Sequence, residues 1–142
     1  MRAQQRGMTL IELMTVVVVL AILASLAVPS YRNYLLRAQR TEATTALLRL
    51  QAAQEKFYLQ NNAYTDDVDG DPPAGLGLAA VTERGFYDIA VDLAADGQSY
   101  EATATPVAGA GQADDTRCTE FSVNNAGERG AEGTGGLDLC WR

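Results

Sequence analysis

The chain has 142 residues, a formal charge of −7 and no histidine. Its length fits one globular domain plus one long helix, on the usual scale of about 100–200 residues per domain. An acidic surface argues against strong generic binding to DNA or anionic lipid, which needs clustered lysine and arginine. Without histidine the chain lacks the commonest general base and metal ligand, so we predict neither an enzyme nor a cofactor or metal site.

A short basic leader, residues 1–7, precedes an apolar segment that runs from Met8 to Val28 and carries one charge, on Glu12. A secretory signal places its apolar region before the cleavage site, whereas here the plausible site, after Gly7, comes first. Cleavage there removes two arginines and leaves a side-chain net charge of −9. As a helix the segment would span about 31 Å, close to a bilayer core of ~30 Å, so it can cross a membrane.

Helical signals continue past Pro29 to about residue 60. Pro29 removes one backbone hydrogen bond and is expected to kink the helix. An apolar stripe with i, i+3, i+4, i+7 spacing predicts an amphipathic helix packed on its own domain. The stripe consists of Ala43, Ala46, Leu47, Leu50, Ala53 and Phe57. Leu48, Ala52 and Leu59 fall on the opposite side, where they form either a second contact surface or scattered exposed residues.

The chain beyond residue 60 contains twelve of the thirteen glycines and three of the four prolines, which predicts frequent turns. Residues 61–78 are predicted to form an irregular loop. The strand candidates are 86–91, 100–104, 118–123 and 137–141, and in several of them apolar and polar residues alternate. This pattern predicts a four-stranded antiparallel sheet with one face covered by the helix. The glycine-rich segment 124–136 is predicted to be a mobile surface loop.

Two cysteines, Cys118 and Cys140, lie late in the chain. Behind an export-type N-terminus they predict one disulfide that closes the loop 118–140. Loop entropy makes such a ring worth on the order of 3 kcal/mol. Two buried thiols are the alternative, and a metal pair would be short of ligands.

An acidic cluster at 66–71 partly matches a calcium-binding loop. Asp67, Asp69 and Gly70 fit its third, fifth and sixth places, but Thr65 and Leu76 would hold the first and the twelfth. The twelfth place needs a bidentate glutamate, so we interpret the cluster as a solvated loop.

The N-terminal motif resembles that of type IV pilins: it reads G-M-T-L-I-E-L-M from Gly7, then an aliphatic run and Pro-Ser-Tyr. The resemblance implies that a prepilin peptidase cuts between Gly7 and Met8, and that Met8 is N-methylated. It implies that Glu12 attracts the N-terminal amine of an adjacent subunit, and that Pro29 lies where the helix bends or unwinds in the filament. Pilins more often have Phe in place of Met8 and Gly in place of Ala21.

The resemblance also implies an α+β fold in which a long N-terminal helix packs on an antiparallel sheet. Residues 8–29 would form its membrane-spanning, assembly half, 30–60 its amphipathic half, and 61–142 a β domain with the disulfide loop. Before assembly the chain would sit in the inner membrane with that domain in the periplasm, and afterwards in an extracellular fibre. The implied partners are other pilin subunits, the peptidase and the inner-membrane assembly platform.

Short segments further resemble PilE-type minor pilins of type IVa systems. They are Glu42-Ala43, Gln54-Glu55-Lys56-Phe57-Tyr58, Asn62-Ala63-Tyr64-Thr65, Ala104-Thr105-Pro106, Asp115-Thr116-Arg117-Cys118 and Cys140-Trp141. We therefore expect a minor pilin that helps prime assembly, enters the fibre and supports adhesion, twitching motility or DNA uptake. The alternatives are a major pilin, a type II secretion pseudopilin and a DNA-uptake receptor.

Two features of the sequence argue against the last two alternatives. Major pseudopilins generally lack a terminal disulfide ring and carry a calcium-binding segment that this sequence does not offer. A DNA receptor would have to use Arg117, Arg129 and Arg142 around the disulfide, a weak basic stripe among many acids. Trp141 is expected to pack over the disulfide rather than to stack on a base.

Overall fold

The structure is a computed structural model that describes residues 8–142. The leader and the predicted recognition residue Gly7 lie outside the described residues. Two compact units divide the chain, one ending at Leu35 and one beginning at Leu36. The first unit is the N-terminal part of helix α1 (Leu10–Asn61), and the second holds the rest of α1, a sheet and two short helices.

Helix α1 runs without a break from Leu10 to Asn61, and Pro29 lies within it. In the second unit its predicted stripe is confirmed, because Ala43, Leu47 and Leu50 are buried, each at most 1% exposed. The other three stripe residues, Ala46, Ala53 and Phe57, are partly buried against the same core. The helix ends where Asn62 takes a left-handed conformation (φ 55°), which asparagine tolerates better than most residues.

The sheet has four antiparallel strands in the order β1-β2-β3-β4: Tyr87–Leu93, Tyr100–Pro106, Glu120–Asn124 and Arg129–Glu132. Alternate residues of the first three strands are buried, as period-two patterning predicts for a sheet with one covered face. The buried residues are Tyr87, Ile89, Tyr100, Ala102, Ala104, Phe121 and Val123. The predicted α+β fold, a long helix on a four-stranded antiparallel sheet, is confirmed.

The fourth strand is not where the sequence places it. β4 lies inside the segment 124–136, predicted as a mobile loop, and the predicted strand over 137–141 is helix α2 (Leu137–Cys140) instead. The Asn124 side chain accepts the N–H groups of Ala126 and Glu128, and Gly127 has φ 78°, so a tight hairpin joins β3 to β4. The strand prediction over 137–141 is wrong because the pattern covers only five residues, and so short a pattern is equally compatible with one helical turn.

Candidate assembly site

The N-terminus of α1 carries a local capping arrangement. The Glu12 N–H donates to Thr9 Oγ1 at 3.3 Å, and the Leu13 N–H donates to the Thr9 carbonyl at 3.1 Å. Thr9 is therefore the N-cap, and Glu12 stands three residues later, the spacing of a capping box. The Glu12 side chain is exposed, close to the positive end of the helix dipole. Glu12 thus has two separable properties, its place in the cap and its negative charge.

The apolar part of α1 exposes its side chains throughout. Residues 10–28 are all exposed. The two hydroxyls within it are satisfied locally: Thr15 donates to the Ile11 carbonyl at 2.8 Å and Ser25 to the Ile22 carbonyl at 2.7 Å. Self-satisfied hydroxyls are compatible with hydrocarbon surroundings. By length and composition α1 can cross a membrane.

The far side of α1 in the second unit carries exposed apolar residues at helical spacing. Leu48 is 42% exposed, Leu59 is 83% exposed, and Ala52 between them is also exposed. This placement agrees with the sequence-based assignment of these residues to the side opposite the core. The second contact surface that these residues would form stays a prediction.

The C-terminal end of the second unit is closed by the Cys118–Cys140 disulfide, whose two residues are buried. Trp141, which follows Cys140, donates through Nε1 to the Gly130 carbonyl at 2.7 Å and meets Phe121 edge to face. Its ring also lies 4.9 Å from the Arg129 guanidinium. Trp141 therefore covers the edge of β4 inside the domain, and its contacts are with β3 and β4.

A buried ion pair is the main feature that the sequence analysis missed. Arg40 Nε and Nη2 donate to the Asp115 carboxylate at 2.6 and 2.8 Å, and the two side chains are 5% and 1% exposed. Gln112 Nε2 (3.1 Å) and the Arg117 N–H (3.2 Å) complete the shell of the carboxylate. The pair joins α1 to the segment just before Cys118.

A signal for this pair does exist in the sequence. Arg40 lies three positions before Ala43, on the same stripe as the buried apolar residues of α1. Gln54, four positions after Leu50, also lies on the stripe and is buried, and its amide exchanges two hydrogen bonds with the backbone of Thr65. Polar residues at core positions of a stripe indicate buried partners elsewhere in the chain, although they do not name them.

The outward face of the sheet is acidic. Its carboxylates are on Asp88, Asp92, Glu101, Glu120 and Glu132. Burial raises the pKa of Glu120, and the negative charges of Glu132, Glu101 and Asp92 raise it further. Since like charges repel phosphate, this face does not suit DNA, and any contact with DNA is left to the disulfide end, where Arg117, Arg129 and Arg142 are exposed.

The acidic loop is built around its own hydrogen bonds. Asp67 Oδ1 accepts the Gly70 N–H at 2.9 Å, which is a local turn. Leu76, at the position where a calcium loop needs glutamate, is 8% exposed and belongs to the core. These contacts support the interpretation of residues 66–71 as a loop.

Comparison with known families gives two matches along the chain. A family model described as "Type IV minor pilin ComP, DNA uptake sequence receptor" matches residues 29–122, about two thirds of the chain. A second model, "Prokaryotic N-terminal methylation motif", matches residues 2–28.

Individual relatives agree with these matches. The chain is 37% identical over 110 residues to the type IV major pilin protein PilA of Myxococcus xanthus, covering 76% of this chain and 47% of that protein. It is 35% identical over 94 residues to the type IV major pilin protein PilE1 of Neisseria gonorrhoeae, covering 66% and 42%. It is 39% identical over 67 residues to type II secretion system core protein G of Pectobacterium carotovorum, covering 47% and 43%. The chain spans about half the length of these relatives.

Proposed function

The chain belongs to the type IV pilin family, and from this premise we propose that it is a PilE-like minor pilin that helps prime assembly and is incorporated in the fibre. As a type IV pilin it is a structural subunit, anchored in the inner membrane by its apolar helix before assembly and extracellular in the pilus afterwards. Its proposed partners are other pilins, the prepilin peptidase and the inner-membrane assembly platform.

One observation carries the proposed assembly into a fibre: an exposed apolar helix with a single carboxylate in its first turn. Residues 10–28 have no partner in the described part of the chain, so lipid or other subunits must cover them. Glu12 is the charged residue within this stretch. A charge in an apolar helix is energetically unfavourable in a membrane and commonly marks a functional site. We propose that Glu12 acts at the contact with a neighbouring subunit.

The proposed mechanism is physical. Cleavage after Gly7 frees the amine of Met8 while the helix is in the membrane. Glu12 pairs with the amine of an adjacent subunit, and the helices then leave lipid for a bundle of similar polarity. A buried ion pair adds little net stability, but an unpaired buried charge is strongly disfavoured, so the pair fixes the register of docking.

The test separates the charge of Glu12 from its place in the cap. Glu12→Gln keeps the capping-box geometry and removes the charge, whereas Thr9→Ala removes the N-cap and keeps the charge. We expect Glu12→Gln to be processed normally and to be lost from sheared fibres, and Thr9→Ala to be incorporated. Normal incorporation of Glu12→Gln, with loss of Thr9→Ala, would assign Glu12 to helix capping alone.

The processing site has its own test. Gly7→Leu should leave the leader uncut, because the bulky side chain replaces the residue that the peptidase is proposed to recognise. An immunoblot would then show one band of higher mass. Gly111→Leu serves as a matched control outside the leader, because a Cβ at Gly111 meets no other atom within 4 Å. A normally cut Gly7→Leu chain would move the cleavage site elsewhere.

The proposal of a minor rather than a major subunit is supported by the family model, whose printed description is that of a minor pilin. The named relatives from Neisseria gonorrhoeae and Myxococcus xanthus are major pilins, so major pilin stays the runner-up. The match to a type II secretion core protein supports the pseudopilin alternative, but it extends over 67 residues, 47% of this chain. Abundance in the fibre distinguishes the three.

A second candidate function, DNA uptake, is favoured by the description of the family model. The residues that would carry it are the exposed Arg117, Arg129 and Arg142. If they contact phosphates, replacing Arg117 and Arg142 by Gln weakens binding to duplex DNA and lowers the salt slope by up to ~2, at about 0.9 per lost contact. Lys56→Gln is a control on the same domain. Equal binding by both variants would contradict this second function.

A further inference from the structure

Two tyrosines directly follow the apolar part of α1 and are exposed. Tyr31 is 63% exposed and Tyr34 is 67% exposed. Three positions separate them, so both rings lie on the same side of the helix. Both belong to the first compact unit, together with the whole apolar segment.

The position of this pair along the helix matches the edge of a bilayer. From Leu10 to Val28 the helix rises about 27 Å, close to the ~30 Å of a hydrocarbon core. Tyr31 then lies about 4–5 Å beyond Val28 and Tyr34 about 9 Å beyond it. The headgroup layer is roughly 5–8 Å thick on each side, so both rings fall in or at the border of that layer.

The chemistry of the pair fits this layer. A tyrosine ring is apolar and packs against the upper acyl chains, while its hydroxyl hydrogen-bonds to phosphate and ester oxygens. We propose that Tyr31 and Tyr34 anchor α1 in the phospholipid headgroups on the side of the globular domain. Since Leu10 then reaches the opposite boundary, the anchor also holds Glu12 near the other interface, where a second subunit's amine can reach it.

This inference rests on the proposed pilin function, in which α1 crosses the inner membrane. Its test uses the full chain, without other pilins, in vesicles of phosphatidylethanolamine and phosphatidylglycerol. Tyr31→Trp, Tyr34→Trp and Val19→Trp are compared with the wild type, whose single tryptophan, Trp141, gives the background fluorescence. The lipids are brominated either near the headgroup end or near the terminal methyl of the acyl chain, and bromine quenches tryptophan at its own depth.

We expect the fluorescence added by Tyr31→Trp and Tyr34→Trp to be quenched more by shallow than by deep bromines. Val19→Trp, in the middle of the span, should show the reverse order. With Tyr31→Ala and Tyr34→Ala also present, the preference of Val19→Trp for deep bromines should weaken, because the helix is free to shift.

Four results would overturn the proposal. Quenching of Tyr31→Trp in the same order as Val19→Trp places the ring in the core, and no quenching places it in water or against protein. An unchanged Val19→Trp profile in the double alanine background shows that the tyrosines do not set the depth. Failure of Val19→Trp itself to be quenched would refute the membrane span, which the fibre experiment on Glu12 does not test.

Discussion

The two compact units of this chain owe their order to different surroundings. The second unit buries a contiguous core between α1 and the sheet, including Leu47, Phe121 and the disulfide. The first exposes its side chains from Met8 to Leu35, and its order as a helix comes from local hydrogen bonds and capping. A helix without a packed face depends on its environment for stability. The first unit therefore needs lipid or neighbouring subunits to cover its apolar side chains, whereas the second unit covers its own.

The largest effect should come from breaking the buried ion pair of the second unit. Asp115→Asn leaves the Arg40 charge buried and unpaired, which we expect to cost about 3–5 kcal/mol of unfolding free energy. Denaturant unfolding measures it. The matched control is the double variant Arg40→Met with Asp115→Leu, which removes both charges and should recover most of the loss. An equal loss of unfolding free energy in the double variant would mean that the packing of these side chains, and not the unpaired charge, causes the destabilisation.

A pair of leucine variants compares the units directly. Leu47→Ala empties a fully buried site, 0% exposed, and should cost about 2–5 kcal/mol. Leu20→Ala makes the same chemical change at a site that is 58% exposed in the first unit, and should change the unfolding of the globular domain by less than about 0.5 kcal/mol. Similar losses from both would contradict the division of the chain.

Removal of the disulfide should lower the unfolding free energy somewhat less than these changes. Cys118→Ser with Cys140→Ser removes the constraint on a 22-residue separation, which is worth on the order of 3 kcal/mol. Thermal unfolding with and without reductant checks this, since the wild type under reducing conditions should approach the variant. An unchanged melting temperature would show that the bridge does not stabilise the domain.

The smallest effect concerns the acidic face of the sheet. The pKa of Glu120 is raised above 4.5 in the folded chain, so the folded state binds the proton more tightly than the unfolded state. Stability therefore falls as pH rises from about 4.5 through the raised pKa, and the loss persists at neutral pH. Glu120→Gln should raise the melting temperature slightly at pH 7 and flatten this loss, whereas the exposed Asp66→Asn should not. A lower melting temperature for Glu120→Gln would refute the repulsion.

The sequence predicts the long helix and three of the four strands because their periodicities are long enough to distinguish. The apolar stripe from Ala43 to Phe57 repeats over four turns, and 86–91, 100–104 and 118–123 each overlap a real strand. β4 escapes prediction because Arg129, Gly130 and Glu132 have little β propensity, and the strand exists through its hairpin with β3. Local patterns cannot report such a tertiary effect.

The functional residues show the same contrast between local features, which the sequence can predict, and long-range contacts, which it cannot. The sequence analysis identifies Glu12 but not Thr9, although the spacing between the two residues is a local capping signal that a sequence contains. The Arg40–Asp115 pair spans 75 positions, and nothing in a single sequence identifies Asp115 among the many carboxylates as the partner. The stripe position of Arg40 indicates only that its charge must be met somewhere.

We propose that this chain is processed at Gly7 and enters a pilus through its exposed apolar helix. The most direct measurement is mass spectrometry of filaments sheared from native cells, with quantification of every pilin peptide. We expect a peptide that begins at a methylated Met8, present at a small fraction of the dominant pilin. Processed protein found in the membrane and absent from the fibre, or a chain that retains residues 1–7 in the fibre, would contradict it.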